Sequence, residues 1–255
     1  VWDLAPAFGS GWQLNGNLAY TERAPTNYEL FANGVHIATA AFERGDAELG
    51  KEKGSNLDVA LEWKSGHDRL RAGAFVSNFS NYIALLRTGE PDFVSDEGEA
   101  FPVYAFQGVK ARLSGFELEG AWRVLEGART VDLEAQLDAV RATNRSTGEP
   151  LPRIAPLRVK LGAAYGLDGW TLRGEVVRAQ KQDRVPDDDE ATAGYTLINL
   201  ALSKRLAWDG NDALFFVKLD NLTDRLAYNA GSVATVRDLA PLPGRSLSAG
   251  LRVAF

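Results

Sequence analysis

Apolar and polar residues alternate with a period of two through nearly the whole chain, and that pattern leaves few folds open. Trp12, Leu14, Gly16, Leu18 and Tyr20 alternate with Gln13, Asn15, Asn17, Ala19 and Thr21. Leu57, Val59, Leu61 and Trp63 alternate with Asp58, Ala60 and Glu62. Phe116, Leu118, Gly120, Trp122 and Val124 oppose Glu117, Glu119 and Arg123, and Val131, Leu133, Ala135, Leu137 and Ala139 oppose Asp132, Glu134, Gln136 and Asp138. The last eleven residues repeat the rule, with Leu247, Ala249, Leu251, Val253 and Phe255 against Ser246, Ser248, Gly250 and Arg252. Successive side chains of a strand point to opposite faces, so each stretch reads as a strand with one apolar and one polar face. Further strands fall near 70–76, 154–165, 170–183, 194–207 and 212–219, which makes ten complete strands and the end of an eleventh at 1–5.

The polar faces of the middle strands carry repeated charges, among them Asp58, Glu62, Glu117, Glu119, Asp132 and Glu134, which the shared core of a soluble sandwich does not permit. The connections alternate between short turns, near 65–68, 126–127, 166–169 and 208–211, and long ones, near 23–52, 87–102, 144–153, 184–193 and 220–243. Short turns on one rim and long loops on the other are the pattern of outer-membrane barrels, whose lumen-facing half is polar. Trp2, Trp12, Trp63, Trp122, Trp170 and Trp208 lie near short turns, while Tyr20, Tyr82, Tyr104 and Tyr195 lie towards the long loops, as two interfacial belts would require. The expected fold is therefore all-β, a transmembrane antiparallel β-barrel whose apolar rows face lipid. The charged inner rows imply a wide, hydrated or plugged interior rather than a small packed barrel.

Composition removes other classes. The 255 residues include no Cys, so there is no disulfide framework and no thiolate chemistry. The apolar runs are far shorter than a membrane-spanning helix needs. A net charge of −6 argues against a nucleic-acid partner. No G-x-S-x-G elbow, P-loop or H-E-x-x-H motif is present, so no enzymatic activity is expected. The absence of Met makes Val1 an unnatural translation start, and a processed or partial chain is expected.

The first long connection contains Arg23-Ala24-Pro25, then Glu29-Leu30-Phe31, then Gly45-Asp46-Ala47-Glu48-Leu49-Gly50-Lys51-Glu52. It resembles the R-A-P-x-x-x-E-L-(F/Y) and G-(N/D)-x-x-L-x-x-E segments of TonB-dependent outer-membrane receptors. Leu151-Pro152-Arg153-Ile154-Ala155-Pro156, Gly194-Tyr195-Thr196-Leu197-Ile198-Asn199 and Asp220-Asn221-Leu222-Thr223-Asp224 through Tyr228 resemble later landmarks of that family. So does Gly244-Arg245 followed by a strand ending in Phe255, the residue that the resemblance makes an assembly signal. Ala32-Asn33-Gly34-Val35-His36-Ile37-Ala38-Thr39 is similar to the subgroup of zinc-uptake receptors, which has Pro where Val35 stands.

The resemblance implies that residues 1–255 are the C-terminal ten or so strands of a barrel of about 22, with the N-terminal plug and early strands absent. It implies active uptake of a scarce nutrient (zinc, an iron-siderophore or haem), with no cofactor required beyond zinc or an iron chelate as cargo. The implied partners are outer-membrane lipid, TonB with its inner-membrane energising complex, and the barrel-assembly machinery. The C-terminus would then face the periplasm. A passive porin or structural barrel is the alternative, and a soluble β-sandwich binding module a further one.

His36, one of two histidines, is the candidate metal ligand, because neutral imidazole binds zinc and iron chelates. Glu29, Glu43, Asp46 and Glu48 are the nearby carboxylates that offer oxygen ligands, and Glu29, Glu43 and Asp46 are taken with His36 as candidate substrate-binding residues. His67, in a short turn, is expected to be solvated. The run Asp187-Asp188-Asp189-Glu190 reads as a solvated loop tip, with a hard-cation site as the sharper alternative.

Overall fold

The computed structural model describes residues 2–187, 189–208 and 211–254. In chain order its elements are β1 (Trp2–Asp3), α1 (Ala5–Phe8), β2 (Trp12–Arg23), α2 (Asn27–Phe31), β3 (Asn33–His36), β4 (Ala41–Arg44), β5 (Glu52–Ser65) and β6 (Asp68–Arg87). There follow β7 (Phe93–Val94), β8 (Ala100–Phe101), β9 (Val103–Leu125), β10 (Arg129–Asn144), β11 (Arg158–Leu167), β12 (Trp170–Ala179), β13 (Tyr195–Trp208), β14 (Asn211–Asp220) and β15 (Ser246–Ala254). Short 3₁₀ turns occupy Ile37–Thr39 and Ala234–Leu239. Among the described residues no helix is long and apolar enough to cross a membrane.

The wall is one antiparallel meander in the order β1-β2-β5-β6-β9-β10-β11-β12-β13-β14-β15. Every neighbour in space is the next wall strand in sequence, as an up-and-down barrel requires. Among the described residues β1 and β15 end the path without pairing to each other, so the sheet is an open section of barrel wall. The eleven wall strands match the expected ten and a fragment. The strand expected at 154–165 begins later, at Arg158, because 150–157 forms a strap across the mouth.

Cross-strand register lines up the two faces. Leu18 pairs with Leu57, Leu118 with Leu137, Leu161 with Val176, and Leu172 with Leu202. These leucines form an exposed band, with Leu18 79% accessible. A contiguous apolar band of this kind is stable only against lipid. On the opposite face the charges interlock across strands. Arg71 joins Glu62 and Glu117, Arg123 grips Asp132, and Arg173 forks onto Glu134 at 2.6 and 3.0 Å. The structure is a transmembrane antiparallel β-barrel wall with a charged lumen.

The tryptophan rim is present. Trp12 and Trp63 sit opposite one another with ring centroids 6.2 Å apart, and Trp122 and Trp170 are exposed near the short turns. The Trp208 side chain and Phe255 lie outside the described residues. The tyrosine belt is not uniform, which corrects the expectation for Tyr82 and Tyr104. A register shift in β6 between Phe79 and Tyr82 turns Tyr82 towards a small core of Ala111, Ala142 and Leu151, and Tyr104 lines a cavity at the mouth. Tyr20 alone of the four stands clearly in the exposed row beside Leu18.

β6 and β9 are 20 and 23 residues long, about twice what a bilayer crossing needs. Their upper halves, paired from Tyr82 with Val109 to Arg87 with Tyr104, carry the sheet beyond the apolar band and support the long connections.

Candidate functional site

The site is built at the long-loop rim, where five connections converge on the tops of β6 and β9. The first connection folds locally. Thr26 caps α2: its hydroxyl accepts from the Glu29 amide at 3.2 Å, and the Glu29 carboxylate accepts from the Thr26 amide at 2.7 Å. Arg23 clamps the same carboxylate at 2.8 and 3.0 Å. That clamp holds the Glu29 carboxyl below the usual carboxylate range.

The chain then forms the hairpin β3–β4, and β4 lies parallel to β9, with Glu43 opposite Tyr104. Gly45 is forced by this packing. A Cβ there would lie 2.6 Å from the Leu30 carbonyl carbon and the Phe31 nitrogen, both backbone atoms that have little room to yield. The connection is further tied to its neighbour by Arg44, which forks onto Glu90 at 2.7 and 3.1 Å, and by Phe42 packed on Phe93.

Glu43 is the hub. Its side chain is 2% exposed, and it accepts from the Thr39 hydroxyl at 2.6 Å and the Tyr28 hydroxyl at 2.7 Å. His36 Nδ1 lies 3.2 Å from Oε1, the oxygen that also accepts from Thr39. Burial pushes the Glu43 carboxyl up, but the hydrogen bonds from Thr39, Tyr28 and His36 together outweigh it and hold the group below its ordinary value. Burial, and then the bond to Glu43, push the Tyr28 phenol up to about 12.

The structure thus brings His36 and Glu43 together and leaves Glu29 and Asp46 elsewhere. Glu29 is used by the helix cap and Arg23, while Asp46 accepts from the Glu48 amide at 2.9 Å in a local turn. Among the described residues no group of three His, Cys, Asp or Glu side chains is placed to hold a metal ion. A His–carboxylate contact of this kind orients an imidazole: a proton on Nδ1 shared with Glu43 leaves the Nε2 lone pair as a ligand. His36 is 47% exposed, so that valence is accessible. His67 sits 3.6 Å from the exposed Glu126 carboxylate at the opposite rim.

A cavity of about 430 Å³ opens beside Glu43. Thr39 and Glu43 line it from the first connection, Tyr104 from β9, Arg153 from the strap, Asp189 from the fourth connection and Val233 from the last. The connections are locked to one another across it. Arg237 on the last 3₁₀ turn bonds both Asp189 carboxylate oxygens at 3.0 Å and the Glu190 carbonyl at 2.8 Å, with both side chains 7% exposed. The Thr235 hydroxyl next to it donates to the Thr39 carbonyl of the first connection. The acidic run is therefore not simply a solvated tip, because Asp189 is buried by a partner 48 residues away.

Asn221 fixes the start of the last connection. It takes a left-handed φ of 49°, accepts from the Arg225 amide and donates to the Arg225 and Pro243 carbonyls. This is the side-chain-to-backbone turn expected at 221–224. Tyr28, Thr39 and Arg237 were not legible as site residues. The T-x-x-E spacing of Thr26 and Glu29 is the one local signal from which the helix that positions Tyr28 could have been read. Arg237 carried no local signal.

The architecture has close counterparts among solved structures. The copper transporter OprC superposes with a TM-score of 0.76 at 21% identity, over 94% of this chain and 36% of that one. A ferric enterobactin receptor, PfeA, from Pseudomonas aeruginosa gives 0.69 at 19% identity, over 96% and 38%. The siderophore receptor PirA from Acinetobacter baumannii gives 0.64 at 14%, over 96% and 39%. The chain spans little more than a third of the length of these proteins. Residues 1–222 match the family described as TonB dependent receptor-like, beta-barrel. The chain belongs to the TonB-dependent receptor β-barrel family.

Proposed function

We propose that this chain is the C-terminal wall of a longer outer-membrane receptor that imports a scarce metal as a small chelate, driven through TonB. The observation that carries the reading is the cavity at the long-loop rim, lined by Thr39 and by Glu43, the carboxylate that orients the His36 imidazole. A volume of about 430 Å³ is within the range of small-molecule sites. Glu43 has its acceptors occupied by Thr39, Tyr28 and His36, so its role is to orient His36 rather than to bind metal directly. One imidazole supplies one coordination position, which suits a metal that arrives with its other ligands. Zinc is the first candidate cargo, from the Asn33–Thr39 segment; an iron chelate is the second. The charged lumen face supplies a hydrated path, no bond in the cargo is broken, and the long loops face the cell exterior with the C-terminus on the periplasmic side.

The test is uptake of radiolabelled zinc and of ferric chelates by cells expressing the full-length receptor, with and without a protonophore. Discharging the proton gradient should abolish uptake, and His36→Ala should lower it by at least about ten-fold. Uptake that survives the protonophore would make the barrel a passive pore, and unchanged uptake by His36→Ala would remove His36 from the cargo site.

A further inference from the structure

The outer face of the wall changes character abruptly above the apolar band. On β9 the exposed row runs upward from Leu118 and Phe116 through Ser114 to Arg112 and Lys110. On β10 the matching row runs from Leu137 and Ala139 to Arg141 and Thr143. Register places Arg112 opposite Thr143 and Arg141 opposite Ser114, so the two guanidinium stems are diagonal neighbours on one face. Arg184, from the fourth connection, reaches the same face. It donates to the Thr143 hydroxyl at 2.8 Å and the Ala142 carbonyl at 2.6 Å, which brings a third guanidinium beside Arg141. Arg145 is exposed at the end of β10, and its amide bonds the Lys110 carbonyl.

Five cations thus share a small area, and among the described residues none of them forms an ion pair. In the lumen, by contrast, Arg71, Arg123, Arg158 and Arg173 each hold a carboxylate. The neighbours in register on this face are Asn78, Ser114 and Thr143, which are neutral. Burial, and then the adjacent Arg141 charge, pull the Arg184 guanidinium below the ordinary arginine value. Like charges packed together without a counter-charge favour an external anion. The position specifies which kind: Arg112 lies two residue pairs above Phe116, about 14 Å along the strand from the top of the exposed apolar row, at the depth of lipid headgroups.

We propose that Lys110, Arg112, Arg141, Arg145 and Arg184 form a docking site for the phosphate groups of an anionic lipid in the leaflet on the long-loop side, its acyl chains lying on Phe116, Leu118 and Leu137. Arginine forks suit phosphate oxygens, and the Arg184 anchor on the loop means that a bound lipid also braces the fourth connection. The site depends on the barrel spanning a bilayer and is independent of the cargo.

The test uses the full-length receptor in nanodiscs of phosphatidylcholine holding a minority of spin-labelled phosphatidic acid. The wild type should enrich phosphatidic acid over phosphatidylcholine in its immobilised lipid shell. Arg112→Gln, Arg141→Gln and Arg184→Gln combined should reduce that enrichment by on the order of ten-fold. The corresponding triple Lys variant, which keeps the charges, should retain most of it and serves as the control for folding. Equal enrichment by the Gln and wild-type proteins, or loss in the Lys variant as complete as in the Gln variant, would overturn the proposal. Displacement of the lipid by inorganic phosphate as effectively as by unlabelled phosphatidic acid would overturn it too, by making the patch a free-phosphate site. Because no cargo is present, a failed uptake assay leaves this result untouched.

Discussion

Arg237 and Asp189 meet across the mouth of the barrel as a buried ion pair, each 7% exposed, and the pair joins the last long connection to the one before it. Taking one partner from a buried pair strands a charge and costs about 3–5 kcal/mol. Arg237→Met or Asp189→Asn should therefore release the 221–245 connection, raising amide exchange at 233–240 and leaving the wall strands protected. The swapped pair, Asp189→Arg with Arg237→Asp, should recover part of the protection. Exchange unaltered by either single change would show that the loop is held by other contacts.

Gly45 and Thr26 set the shape of the first connection. Gly45→Ala introduces a methyl against the backbone of Leu30 and Phe31, an overpacking cost of about 1–3 kcal/mol. Thr26→Ala removes half of the capping box and costs about 1 kcal/mol. Limited proteolysis between 27 and 45 should accelerate for both variants, more for Gly45→Ala.

The Glu43 hub makes this connection pH-dependent at both ends. The Glu43 carboxyl is depressed in the folded state, so its contribution is present above the ordinary glutamate value of about 4.3 and is lost as pH falls through the folded value. The Tyr28 phenol is raised, so its contribution is complete below about 10 and is lost as pH climbs through about 12. Proteolytic sensitivity of the first connection, scanned against pH, should be lowest on the plateau between these limits. Glu43→Gln should flatten the acid limb, and an acid limb identical in Glu43→Gln would assign it to other carboxylates.

Asn221 combines a left-handed backbone with three side-chain hydrogen bonds to the main chain. Asn221→Ala leaves the Arg225 amide and two carbonyls without those partners and should destabilise the last connection by about 2–3 kcal/mol. Asn221→Gly, which tolerates the backbone but makes no such bonds, should be nearly as damaging. A fully tolerated Gly variant would mean that the backbone angle alone matters.

The wall was readable because its physics is local. Period two places alternate residues on alternate faces, so Leu118 and Glu117 announce lipid and lumen without knowledge of any partner. The turns after Ser65 and Leu125 were readable for the same reason. The mouth was not, because its contacts are between distant segments. Tyr82 reads as a belt residue until the shift after Phe79 turns it inward. Glu29 and Glu43 look equivalent in sequence, yet one serves a helix cap and the other is buried under His36. Asp189 sits in a run that any charge count assigns to water, and only Arg237, brought over by a separate connection, buries it.

The excess length of β9 fixes a distance. A bilayer crossing uses about ten of its 23 residues, so about a dozen remain, some 40 Å of contour above the crossing. Hydrogen bonded along that stretch to β6, they form a stiff collar rather than a tether. The height of the mouth above the crossing is then set by strand geometry, and the connections decorating the collar can lengthen, shorten or change sequence without raising or lowering it. The loops are free to drift in sequence while the opening from mouth to lumen keeps its dimensions.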